Sequence, residues 1–280
     1  MLFKTIIKSL YLILDTFVSL IELLFRGNFF LKKINRTNEV IVVAGNGPSL
    51  KENLDFAKEN IKDFKLAATN FYLLDNNLQS PDYYYLLDDR YFLNKSNLTL
   101  GSEKQEKELI ERIEELYNCF NSCKNNLILY VPKNKINIVK NRIKNSKIHV
   151  VKVNVNTFNS STSIRHFFYN HQLGIPKSQT VIITALFYSA HISRKIFLAG
   201  CDSSWMENLN VTVDNEVLTT LKHNDGNDLK IKYESMVSML ETQLNVFKSY
   251  EYIQIWSKTI NVEIINLSKK SFIDVFKKTL

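Results

Sequence analysis

Five short stretches carry the groups that could do chemistry. Residues 39–44, EVIVVA, run into Gly45-Asn46-Gly47-Pro48-Ser49. The two glycines let the backbone bend tightly after an extended segment, and Ser49 can cap a following helix while nearby amides face an anion. The turn predicts a cradle for a phosphate or ribose, built from Asn46, Gly47 and Ser49. A plain strand-to-helix turn would have the same letters, because the pattern is neither G-x-G-x-x-G nor a Walker loop. Asn70 follows Ala68-Thr69, and its carboxamide can both donate to and accept from a base or ribose, or form a turn. Asp88 and Asp89 are adjacent carboxylates that could ligate Mg²⁺, accept from a hydroxyl, or form a solvated turn beside Arg90. Asp202 comes after Gly200-Cys201 and before Ser203-Ser204-Trp205, which sets polar groups and an aromatic wall at one place, or caps a helix. His223 lies in the polar run Lys222-His223-Asn224-Asp225, and its imidazole can take a proton near neutral pH, as a general base must.

These stretches need a scaffold that brings them together. Besides 39–44, strands are predicted over residues 65–69, 83–87, 126–131, 148–153, 195–198 and 262–265. Helices are predicted over 103–119, 135–144, 180–193 and 229–249. Alternation of this kind specifies an α/β fold, a Rossmann-like and mostly parallel sheet with helices on both faces. In such sheets ligands sit at the carboxyl ends of the strands, and Asn46, Asn70, Asp88 and Asp202 all follow predicted strands. Residues 155–163 and 208–228 show no periodicity and are rich in Asn, Ser, Thr and Asp. The second, within a segment of about residues 203–228, is expected to be a lid over the site.

The chain has 280 residues, enough for one catalytic domain, expected over 37–280, with a separate N-terminal segment, 1–36. Residues 2–26 are apolar but interrupted by Lys4, Lys8, Asp15, Glu22 and Arg26, and they fall short of the ~20 mainly apolar residues of a membrane span. At ~100° per residue the five charges fall in a stripe roughly 40° wide, so the segment predicts an amphipathic helix. Such a helix can lie in a membrane interface, with Arg26, Lys32, Lys33 and Arg36 toward anionic headgroups, or pack on its own domain or a second subunit of a homo-oligomer. The net charge of +8 favours anionic partners, but the lysines are scattered and no aromatic-basic motif for nucleic acid occurs. Cys119, Cys123 and Cys201 are too few for a disulfide framework, which points to a reducing compartment.

Taken together, the Ala44-Gly45-Asn46-Gly47-Pro48-Ser49-Leu50 turn, Asn70, Gly200-Cys201-Asp202 and His223 resemble the bacterial lipooligosaccharide sialyltransferases of glycosyltransferase family 42, over about residues 39–270. The resemblance implies an inverting transfer of sialic acid from CMP-sialic acid to a hydroxyl of a cell-surface glycan or glycolipid, without an essential metal. It implies that Asn46, Gly47 and Ser49 contact the donor's phosphate or sugar, that Asn70 lies on the cytidine side and that Ser178 and Thr180 reach the donor carboxylate. Gly200 and Asp202 would sit at the nucleotide ribose, and His223 would deprotonate the acceptor. The location implied is the cytoplasmic side of the inner membrane, peripherally. Lys177 stands where the family has an arginine, the 203–228 segment has no tyrosine, and Asp88-Asp89 replace an asparagine. Another nucleotide-activated sugar, or the Mg²⁺-dependent diphosphate transfer of proteins sharing the first turn, are the alternatives.

Overall fold

The computed structural model describes residues 2–26, 31, 33–92, 103–177, 180–224, 226 and 229–279, leaving out the side chains of 2–10, 26, 103–105, 221 and 229. Ser178, which the resemblance placed at the donor, lies outside the described residues, as do parts of the expected lid.

The main sheet holds β1 (Val40–Ala44), β2 (Phe64–Thr69), β3 (Tyr83–Tyr85), β4 (Leu127–Pro132), β5 (Ile148–Val153), β6 (Lys195–Ala199), β10 (Glu263–Asn266) and β11 (Lys277–Lys278). Their spatial order is β11-β10-β6-β1-β2-β3-β4-β5, and every pairing is parallel. The strands are apolar on both faces because both faces are covered. Along β1, Ile41 and Val43 enter one core with Phe187, Ile253 and Trp256, whereas Val42 and Ala44 enter the other with Leu54, Leu116 and Phe120. The first layer comes from α5 (Thr162–Asn170), α6 (Val181–Ile192) and α7 (Met236–Thr259), the second from α2 (Leu50–Asn60), α3 (Glu103–Ser122) and α4 (Ile136–Arg142). The expected Rossmann-like α/β sheet is therefore present.

Two predicted regions differ. Residues 208–228 are not irregular throughout: β7 (Asn210–Val211), β8 (Val217–Leu221) and β9 (Leu229–Tyr233) form a small antiparallel sheet. The helix expected from 229 starts instead at Met236, where Ser235 caps it by accepting from the Ser238 amide. The alternation Leu229-Lys230-Ile231-Lys232-Tyr233 is a two-residue period, a strand signal that runs directly into the helical pattern after it.

The N-terminal helix, α1 (Leu2–Arg26), packs on its own domain along one edge only. Leu23 is buried, Thr16 donates to the Ser160 hydroxyl, Asp15 accepts from the Asn159 carboxamide, and Ser19 accepts from the Asn159 amide. Tyr11, Ile13, Leu14, Phe17, Val18, Leu24 and Phe25 are exposed. Among the described residues no helix is long and apolar enough to cross a membrane.

Candidate functional site

Chain order reverses beside β1. The chain fills the sheet from β1 outward to β5, then returns to lay β6 on the other side of β1. The crossover from β1 runs to β2 on one side and the return from β5 lays β6 on the other, so strand order switches between β1 and β6, and the carboxyl edge at such a switch is the usual ligand position in this class of sheet. Register decides what lines it. Ala44 pairs with both Ala68 and Ala199, so the residues just beyond, Gly45-Asn46, Thr69-Asn70 and Gly200-Cys201-Asp202, emerge side by side. Sequence reading and structure agree on this convergence of Asn46, Gly47, Ser49, Asn70, Gly200 and Asp202.

What these groups do differs from the expectation. The Gly45 amide donates to the Ala199 carbonyl (2.8 Å) and the Gly47 amide to the Gly200 carbonyl (2.9 Å). The Ser49 amide donates to Asp202 Oδ2 (3.1 Å), and the Ser49 hydroxyl donates to Asp202 Oδ1 (2.6 Å). Asp202 is thus the cap of α2, supplied from β6's loop. Its carboxylate takes the place expected for a donor phosphate and meets the partial positive charge of the helix start. Gly47 is required by this contact: a Cβ there would stand 2.2 Å from Asp202 Oδ2 and 2.7 Å from the Gly200 carbonyl oxygen. The knot extends through residues that sequence reasoning missed. Asn53 Oδ1 accepts from the Gly200 amide (3.0 Å) and the Ser268 hydroxyl (2.7 Å), and Ser268 also lies 2.8 Å from the Ser49 hydroxyl. Asn53 was legible only as the residue one helical turn after Ser49; Ser268 carried no signal of its own.

The other expected residues fall around this knot. Asn70 adopts a left-handed backbone (φ 54°), tolerated by Asn, with its carbonyl accepting from the Tyr84 hydroxyl and Oδ1 from the Tyr91 hydroxyl (3.4 Å). The turn-forming reading of Asn70 thus describes its backbone, and its carboxamide is bonded within the fold. Thr180 precedes α6, and the buried Tyr250 hydroxyl lies near the side chains of Thr180 and Ser203. Burial raises the Tyr250 pKa first, with Cys201 adding to it, so this hydroxyl stays protonated and can bridge them. Asp88 lies beyond the end of β3 and accepts from Arg90 Nε at 3.0 Å, while Asp89 pairs with Lys135 at 3.0 Å. The two carboxylates considered for Mg²⁺ are each held by a cationic side chain, and among the described residues no group of three or more His, Cys, Asp or Glu could hold a metal.

Neither a protein-family model nor a curated protein matches the chain.

His223 is brought near the turn although it lies 177 positions after Asn46 in the sequence. It follows β8, is half-buried, and its Nδ1 is shielded from solvent. The next residue, Asn224, donates its backbone amide to the Asn46 carbonyl (2.9 Å) and its carboxamide to Asp75 Oδ2 (3.4 Å). Lys51, in the first turn of α2, reaches the same oxygen at 3.3 Å. Asn46, Asn70, Ser203, His223 and Asn224 are all partly accessible, unlike Asp202. Partly accessible carboxamides, a hydroxyl and an imidazole at the carboxyl edge are groups that can bind hydroxyl-rich ligands and accept a proton.

Proposed function

We propose that this chain is a glycosyltransferase using a nucleotide-activated sugar, with CMP-sialic acid as the donor that the resemblance favours. The donor binds over the crevice at the ends of β1, β2 and β6, against Asn46 and Asn70, and His223 serves as general base. The acceptor hydroxyl oxygen forms a bond to the anomeric carbon from one face as the bond from that carbon to the phosphate oxygen breaks on the other. His223 takes the hydroxyl proton, and the nucleotide leaves with the bonding pair. Attack opposite the leaving group inverts the anomeric centre, and the imidazole lowers the barrier by removing the proton as the new bond forms.

The single observation that supports this reading most is the hydrogen bond from the Asn224 amide to the Asn46 carbonyl, because it sets the neighbouring histidine beside the glycine turn. The reading differs from the family's in one role: Asp202 and Ser49 act in the fold, and Asn46, Asn70 and Thr180 remain for the donor. The Mg²⁺-dependent diphosphotransferase alternative has less support, since Asp88 and Asp89 are bonded to Arg90 and Lys135. A thermal-shift screen with CMP-, UDP-, GDP- and dTDP-linked sugars tests the donor class, because a ligand of the native state raises its apparent stability. No shift with any of them would sink the proposal.

The exposed apolar face of α1 supports peripheral attachment to an anionic membrane, consistent with a lipid-linked or lipopolysaccharide acceptor on the cytoplasmic side. Its apolar residues turn away from the edge that holds Thr16, Ser19 and Leu23 against the domain, so a bilayer and the domain can be contacted at once. Phe17→Asp with Leu24→Asp leaves that docked edge intact, and should release the protein from vesicles containing anionic lipid. Undiminished binding by the double variant would remove the membrane from the proposal.

A further inference from the structure

We propose that Asp75 is the catch that positions His223: together with Lys51 it holds Asn224, and so the loop carrying the histidine, against the glycine turn. This rests on the transferase reading for its purpose, but its geometry stands apart from it. Asp75 follows the short 3-10 turn Tyr72–Leu74 after β2, and its side chain is only 12% exposed. Its two oxygens are divided between tasks. Oδ1 accepts from the Asn77 amide (3.0 Å), which fixes the carboxylate's direction. Oδ2 faces the loop and meets Asn224 Nδ2 and Lys51 Nζ. Burial alone would raise the Asp75 pKa, yet the Asn77 amide and the Lys51 ammonium outweigh it and hold the carboxyl below its ordinary value. The oxygen is charged at neutral pH, when a base at His223 would work.

The arrangement makes Asn224 a two-point attachment. Its backbone is bonded to the body of the turn at Asn46, and its side chain to a carboxylate on the neighbouring strand's loop. One bond would leave the loop free to pivot about it; two on the same residue fix the direction in which the preceding residue leaves. Asp75 acts on His223 through Asn224, so it is a positioning residue. No sequence motif singled it out, because it precedes an ordinary turn, Asp75-Asn76-Asn77.

The test is hydrogen exchange at the Asn224 amide, read residue by residue on the full chain without any substrate. Asn224→Asp sets a second carboxylate against Asp75 and removes the donor. It should speed exchange there by about tenfold, the worth of one lost hydrogen bond. Pairing it with Asp75→Asn restores one donor and one acceptor in reversed order, and should return exchange to the wild-type rate. Unchanged exchange in Asn224→Asp, or no recovery in the swapped pair, overturns the proposal. If Asn224→Asp does not fold, Lys51→Met weakens the carboxylate's hold from the other side, and unaltered exchange at Asn224 is equally fatal. Altered exchange in a protein that binds no nucleotide sugar would sustain the catch and reject the transferase reading. Where transfer is measurable, the swapped pair should regain the rate that Asn224→Asp loses.

Discussion

The two sides of the carboxyl edge use their polar groups in opposite ways. Around Ser49, hydrogen bonds close on themselves among Ser49, Asn53, Gly200, Asp202 and Ser268, tying β1, α2, β6 and the end of β10 into one knot. Around Asn46, the residue after His223, Asn224, is bonded to Asn46 and to Asp75. A saturated buried network rigidifies, whereas a loop held at a few points can open for a ligand. A polar residue at a strand end is not thereby a ligand contact, and on the proposed reading the same edge divides into a structural floor and a working cover.

The sharpest way to break the floor is Gly47→Ala. The added Cβ would meet Asp202 Oδ2 at 2.2 Å, and neither that carboxylate nor the Gly200 carbonyl behind it is the free end of a flexible chain. Overpacking usually costs about 1–3 kcal/mol, and loss of the α2 cap about 1 more, so a loss of about 3 kcal/mol is expected in urea denaturation. Asp202→Ala should follow at about 2 kcal/mol, for it leaves the Ser49 amide without its acceptor and removes the shortest of the Ser49 hydroxyl's hydrogen bonds. If Asp202→Ala instead keeps full stability and abolishes donor binding, the carboxylate belongs to the ligand and the comparison fails.

An acid response from elsewhere in the core must be separated from these effects. Burial pushes the His191 pKa down to about 3, with Arg36 acting in the same direction. The unfolded chain binds a proton near pH 6.5 while the folded chain does not, so this group's full contribution is present above pH 6.5 and lost as pH falls toward 3. At about 1.4 kcal/mol per pH unit, the loss is about 2 kcal/mol at pH 5. His191→Phe, set among Phe187, Tyr188 and Trp256, should flatten that part of the stability-versus-pH curve. A slope unaltered by the substitution would show that other groups carry it.

The sheet was legible because its signals are local and repeated: apolar runs ending in Gly45 and Gly200 mark strand ends, and register then brings those ends together. The convergence of Asn46, Asn70 and Asp202 follows from that register alone. The acceptor of the Ser49 amide was not legible, because a phosphate and an aspartate satisfy a helix start by the same physics and the sequence names no winner. Nor could spacing reveal Asp75 or Ser268, whose roles depend on contacts with residues 149 and 219 positions away. The β7–β9 sheet was hidden for a different reason. Its strands are short, and only Leu229–Tyr233 alternates cleanly.

The smallest stability change is expected where the functional change is greatest. His223 is half-buried on the cover, outside both apolar cores and outside the knot. His223→Ala should shift stability by no more than about 0.5 kcal/mol, the usual range for a surface substitution. With a donor that binds, loss of a general base should slow transfer by about 10²–10⁴-fold while donor affinity holds. Both quantities can be read from one preparation, by urea denaturation and by release of the free nucleotide. Should His223→Ala destabilise the fold as much as Asp202→Ala while transfer per folded molecule is unchanged, then the loop is a second structural tie, and the division of the crevice into floor and cover is wrong.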